Sequence, residues 1–176
     1  ESGGETQWAD MRAGYDALTD ETKQRIAGLC ALHSNYYSHE MLGQVPRTGD
    51  GYGFHTKGAP LRPLVKTHPE TSRKSLYIGR HAYGIPGMTE EQSEKLLAEL
   101  IDLAAQPPRV TEHHWQLGDL AIWDNRRVLH RVAPYDYSQP RVMRHTRVAG
   151  NPATELAGTL PDVRATTYQP GQIALE

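Results

Sequence analysis

A mainly β fold with flanking helices is what this sequence predicts, and three observations predict it. Sixteen glycines and twelve prolines in 176 residues signal frequent turns. Short alternating or apolar segments bounded by turn residues fill the second half of the chain. Helical periodicity is confined to two stretches, one near the N-terminus and one after Thr89.

The elements follow in order. Residues 9–29 read as helix: Met11, Tyr15 and Leu18 keep one face apolar, and Thr19 breaks the run and caps a second segment with Ile26 and Leu29. Residues 43–60 hold five glycines and two prolines without periodicity, which predicts a long loop that closes over a site. Leu64-Val65-Lys66-Thr67-His68 and Ser75-Leu76-Tyr77-Ile78, joined by a polar turn, predict a hairpin. Thr89-Glu90-Glu91-Gln92 is a capping box opening a helix whose Leu96, Leu97, Leu100, Ile101 and Ala104 form one stripe until Pro107-Pro108. Strands are predicted over 109–116, 120–123, 128–132 and 142–149, followed by an aperiodic tail over 151–176.

Composition narrows the function classes. The length suits one domain, and a net charge of −2 gives no global field for nucleic acid or an anionic membrane. No apolar run approaches the roughly 20 residues that span a bilayer. The single cysteine, Cys30, sits among apolar neighbours and forms no internal disulfide, so a cytoplasmic location is expected. Nine histidines make a metal site worth seeking.

In Trp123-Asp124-Asn125-Arg126-Arg127-Val128-Leu129-His130, His130 shares the face of Val128 on a strand of period two, which points it inward. The alternative is a packed core histidine. Arg141 and Arg147 share a parity on the next predicted strand, while Arg144 faces solvent. A guanidinium beside a metal-binding histidine suits a carboxylate, because its planar fork matches two oxygens. His68-Pro69-Glu70 could also complete a ligand set with His130 on pattern alone, but its polar surroundings place it at a hairpin tip, and Glu70 is expected to be solvated. His113 and His114 point to opposite faces and read as surface or packing residues. His55 in the glycine-rich loop, and His81 with Tyr83 after the hairpin, are candidate pocket residues. Tyr36, Tyr37 and Tyr83 could stack on an aromatic substrate, or simply pack in the core.

The segment from Trp123 to His130 with Arg141-Val142-Met143 resembles the C-terminal part of the TauD/TfdA family of iron(II)- and 2-oxoglutarate-dependent dioxygenases. Gly3-Gly4-Glu5-Thr6-Gln7-Trp8, Asp16-Ala17-Leu18 and the Thr67-His68-Pro69-Glu70-Thr71 hairpin match in the same order, so the resemblance covers about residues 1–150. Gly79-Arg80-His81-Ala82-Tyr83-Gly84-Ile85-Pro86-Gly87 and the 141–147 segment look most like the aryloxyalkanoate branch acting on (S)-phenoxypropionates. The resemblance implies a double-stranded β-helix, or jelly roll, with this chain as its C-terminal portion and 151–176 as a tail.

It also implies chemistry: Fe(II) binding, 2-oxoglutarate as cosubstrate, O2 consumption, and hydroxylation of a small anionic molecule with release of succinate. By the resemblance His130 is the distal histidine of a two-His-one-carboxylate triad. Arg141 clamps the distal carboxylate of 2-oxoglutarate, and Thr6 bonds that carboxylate. Many members carry a second arginine four residues after the first; here that position is His145, leaving Arg147 or His145 as the second anion contact. The family's His-x-Asp pair is expected about two dozen residues before the Gly-Gly-x-Thr segment, upstream of Glu1, so a longer enzyme is expected. Homo-oligomers are common in the family and one is expected here. The rival readings are the same chemistry on a sulfonate or alkyl sulfate such as taurine, and a catalytically inactive jelly roll that only binds a ligand.

Overall fold

The computed structural model describes residues 3–50, 54 and 58–155. His55, most of the central part of the 43–60 loop, and the tail beyond 155 lie outside the described residues.

Strand β1 (Thr6–Asp10) runs into α1 (Met11–Asp16), and α2 (Asp20–Ile26) follows after the break expected at Thr19, whose hydroxyl accepts from the Thr22 N–H. The first helix therefore starts later than its apolar spacing suggests: residues 9 and 10 belong to β1, because Asp10 takes an extended conformation and its carboxylate caps Arg12 and Ala13. Next come β2 (Cys30–His33), α3 (Asn35–Glu40), β3 (Leu61–Pro63), β4 (Val65–Thr67), β5 (Lys74–Leu76), β6 (Ala82–Tyr83) and α4 (Glu90–Ala104). Then follow β7 (Val110–His113), β8 (Val128–Val132) and α5 (Pro152–Glu155).

The strands form three antiparallel groups, ordered β7-β1-β8, β3-β2-β6 and β4-β5. The hairpin and the capped helix stand as the sequence predicts, with Thr89 accepting from Gln92 N–H and the Gln92 side chain accepting from Thr89 N–H. Buried Leu96, Leu97, Leu100 and Ala104 of α4 pack with Met11, Leu18, Ile26, Leu64, Leu76 and Ile85 in one apolar cluster. Gly14 allows α1 to approach α4: a Cβ there would lie 2.7 Å from that of Ala104. Ala9 and Leu129, paired across β1 and β8, carry the central strands onto this core.

Two predicted strands do not form. Residues 120–123 and 142–149 have no regular structure, and Leu120, Ile122, Val142 and Val148 are exposed. An alternating sequence becomes a strand only when a neighbour takes its backbone hydrogen bonds, and among the described residues none lies alongside.

Candidate active site

A cavity of about 600 Å³ opens between the β2–β3–β6 sheet and the edge strand β8. Strand β8 contributes Val128, Leu129 and His130, the turn before it contributes Asn125, and the following chain contributes Arg147. The opposite side carries His33, Arg62, Tyr77 and His81. Among the described residues no Asp or Glu lines it, so Arg62 and Arg147 make it cationic even when the imidazoles are neutral.

The imidazoles are indeed pushed toward neutrality. His33 is buried, stacks on Tyr77 (centroids 5.5 Å apart) and meets the edge of His81 at 4.9 Å. Burial, then the nearby charges of His81, Arg62 and Lys66, push its pKa down to about 2. Burial, then Arg62 and His130, lower His81 as well. His130 is lowered by burial and by Arg147. A neutral imidazole keeps a lone pair, which a metal ligand requires.

His130 lines the cavity, and it is nonetheless exposed overall. Trp123 lies between Trp8 and His130, with ring centroids 5.4 and 5.3 Å away. Trp8 is the register partner of His130, so Thr6, Trp8 and His130 share one face of the sheet.

Arg141 and Arg147 are not on a strand. The half-buried Arg141 donates from Nη2 to the Gly4 carbonyl (3.0 Å) and lies over the Tyr135 ring. A Cβ on Gly4 would sit 3.1 Å from its Nε, so glycine is what lets the guanidinium approach two residues from Thr6. Thr6 is buried and its hydroxyl accepts from Trp115 Nε1 at 2.8 Å. Of the two arginines, Arg147 lines the cavity and Arg141 does not. Tyr83 lies outside the lining too, stacked on Tyr37 at 4.5 Å, whereas Tyr36 does line it.

The His68-Pro69-Glu70 sequence serves a structural clasp. The Glu70 side chain is 61% exposed, as expected for a hairpin tip, but His68 is buried rather than solvated. Its Nε2 lies 3.1 Å from Asp124 and 3.0 Å from Arg127 Nε, and its Nδ1 lies 3.1 Å from Glu70 without hydrogen-bond geometry. Asp124 also accepts from the Arg126 side chain and backbone at 2.9 Å, which holds its carboxyl well below the usual range. The clasp fixes the turn that presents Asn125 and launches β8. His113 bonds Asp119, and the exposed His114 lies beside Glu5 and Glu112, so both are peripheral.

Sequence reasoning missed His33 and Arg62. Nothing local marks either as a site residue, and only the pairing of β2 with β3 and β6 brings them to one wall.

The family model for "Taurine catabolism dioxygenase TauD, TfdA family" matches residues 1–147. The chain belongs to this family. It is 54% identical over 159 residues to the (S)-phenoxypropionate/alpha-ketoglutarate-dioxygenase of Sphingobium herbicidovorans, covering 88% of this chain and 55% of that protein. It is 41% identical over 152 residues to the alpha-ketoglutarate-dependent 2,4-dichlorophenoxyacetate dioxygenase of a Burkholderia species, covering 85% of this chain and 50% of that one. A crystal structure of AAD-2 in complex with Mn(II) and N-oxalylglycine superposes with a TM-score of 0.73 at 47% identity, over 81% of this chain and 56% of that chain. The chain thus spans about half the length of the curated relatives it matches.

No helix among the described residues is long and apolar enough to cross a membrane.

Proposed function

We propose that this chain forms part of an Fe(II)- and 2-oxoglutarate-dependent dioxygenase that hydroxylates a small aryloxyalkanoate-like carboxylate. The observation that carries the reading is the cationic cavity, lined by a neutral-leaning histidine on a strand edge and by arginines, in a member of this family. In this reading the three antiparallel sheets are portions of a jelly roll, residues 1–150 are the C-terminal part of one dioxygenase domain, and 151–176 are its tail.

The residues present fit the cofactor in part. His130 offers one imidazole, and the described residues contain no cluster of three or more His, Cys, Asp or Glu that would complete a metal site. Fe(II), when bound, supplies the activation of O2 that couples decarboxylation of 2-oxoglutarate to substrate oxidation. The chain's own residues do the holding. His130 presents a neutral nitrogen, and Trp123 packs on its ring to limit rotation. Arg141 and Thr6 provide a charged fork and a hydroxyl for the distal carboxylate of 2-oxoglutarate, replacing the water that anion loses. Arg147 faces the same cavity as His130 and is the candidate for the second anion contact in place of His145. His81, and His55 from the loop, are assigned to the substrate side; Tyr83 packs behind that wall against the cluster of Leu32, Ala59 and Leu61.

The test is succinate formation from 2-oxoglutarate with added Fe(II), comparing (S)-2-phenoxypropionate with an alkyl sulfate and taurine. Dependence on the phenoxypropionate is expected; no succinate with any of the three would remove the reading. Arg141→Lys keeps the charge and loses the fork, so it should raise the 2-oxoglutarate constant roughly ten-fold. Normal binding in Arg141→Lys with a loss in Arg147→Lys would transfer the clamp to Arg147.

A further inference from the structure

We propose that Arg62 receives the substrate's carboxylate, on the cavity wall opposite His130, and so sets the preference for an anionic over an uncharged substrate. The proposal rests on the dioxygenase reading for the identity of the substrate, but its geometry stands on this chain alone.

Arg62 lies on β3 opposite Ala31 of β2, so it shares a sheet face with His33, two residues along. It is half-buried and lines the cavity. Its Nη1 donates to the Tyr77 hydroxyl at 3.1 Å, and its guanidinium lies over that ring at 5.8 Å. Tyr77 is in turn stacked on buried His33. The side chain is therefore held in place, leaving most of its five donors for a ligand.

A partly buried guanidinium ordinarily pairs with a carboxylate, because withdrawing charge from water is costly. Among the described residues Arg62 has no such partner, and no acidic residue lines the cavity. A second cation, Lys66, also lies over the Tyr77 ring, at 4.9 Å, and donates to the Glu155 carbonyl. The wall is thus an excess of positive charge around an aromatic ring. An anion with an apolar body answers both features: its carboxylate takes the planar fork, and its ring or chain lies along Tyr36, Ile78 and Leu129 toward His130.

The experiment is equilibrium binding by calorimetry of (S)-2-phenoxypropionate, its uncharged amide and hexyl sulfate to the wild-type protein, Arg62→Gln, Arg62→Lys and Tyr77→Phe. Circular dichroism melts check each fold. The acid should bind the wild type at least ten-fold better than the amide, and Arg62→Gln should lose about ten-fold or more for the acid with the amide changed less than two-fold. Arg62→Lys should fall between, and Tyr77→Phe, which removes only the hydroxyl that orients the guanidinium, should lose a few-fold for the acid. The Tyr77 variant decides the matter if Arg62→Gln does not fold. Unchanged acid binding in both Arg62→Gln and Tyr77→Phe, equal losses for acid and amide, or no acid preference in the wild type would each overturn the proposal. An Arg62-dependent preference for hexyl sulfate over the acid would overturn the carboxylate assignment. Succinate formation is measured in parallel: succinate with no Arg62 effect leaves the dioxygenase reading standing without this inference, and Arg62-dependent acid binding without succinate does the reverse.

Discussion

The two walls of the cavity are built in opposite ways. The wall from β2, β3 and β6 is a packed assembly: His33 is 8% exposed, locked between Tyr77 and His81, and its neighbours are held by backbone pairing on both sides of β2. The wall from β8 and the 141–147 segment sits at a sheet edge, with His130 exposed and the arginines on irregular chain. Its order comes from a polar clasp at its base, the Asp124 network with His68 and Arg126. Burial pushes the imidazoles of the first wall toward neutrality and packs them beside the Arg62 charge, whereas exposure leaves the second wall accessible for ligation. A dioxygenase needs both, a rigid surface to orient a substrate and an open one to hold metal and cosubstrate.

The sharpest way to separate the walls is His130→Ala. Losing a ligand outweighs losing an outer hydrogen bond, which is typically worth 10–100-fold, so Fe(II)-dependent succinate formation should fall by roughly 100-fold or more. The melting temperature should move little, since the side chain is exposed. An unchanged turnover would remove His130 from the metal.

Breaking the clasp should damage the second wall through its foundation. Asp124→Ala strands His68 and Arg126, and should cost about 1–3 kcal/mol in a denaturant titration. The same carboxylate gives a pH signature. Its folded pKa lies below the unfolded value of about 3.9, so its stabilising contribution is present above that pH and is lost as pH falls below it. Asp124→Asn should flatten this acid limb; an identical limb in the variant would show that the clasp is not ionic.

The first wall has its own acid sensitivity in a different window. His33 titrates near 6.5 when unfolded and about 2 when folded, facing His81, Arg62, Lys66 and Tyr77, so the unfolded chain binds more protons between these values. Its contribution is complete above pH 6.5 and declines as pH falls through that range. Comparing the stability of wild type and His33→Leu from pH 7 to pH 5 should show a shallower decline in the variant. Parallel curves would mean that the imidazole is solvated.

The smallest effect is expected at Gly79, where an added Cβ would lie 2.8 Å from the His81 ring. Gly79→Ala should push that ring toward the cavity and raise the substrate KM a few-fold, with kcat and stability nearly unchanged. An equal change in the 2-oxoglutarate constant would place His81 on the other wall.

How much of this was legible differs between the same two regions. Asp124, Arg126 and His130 lie in one contiguous segment, and the resemblance to the family rests on it, so the second wall was readable from sequence. The wall with Arg62 and His33 was not, because its members come from three strands of two to four residues, too short to show a period.

The sequence by itself determined helix α4, the break at Thr19 and the β4–β5 hairpin, because caps, turn residues and apolar spacing act within a few residues of chain. It also determined the family and the presence of a histidine with arginines eleven and seventeen residues beyond it. Only the tertiary structure decided that β1 pairs between β7 and β8, that residues 142–149 form no strand among the described residues, that His68 is buried, and that Arg62 faces the cavity of His130. The physical reason is that a strand's hydrogen bonds and a side chain's exposure are properties of its neighbours, and those neighbours are distant in sequence: Trp8 meets His130, and Thr6 meets Trp115.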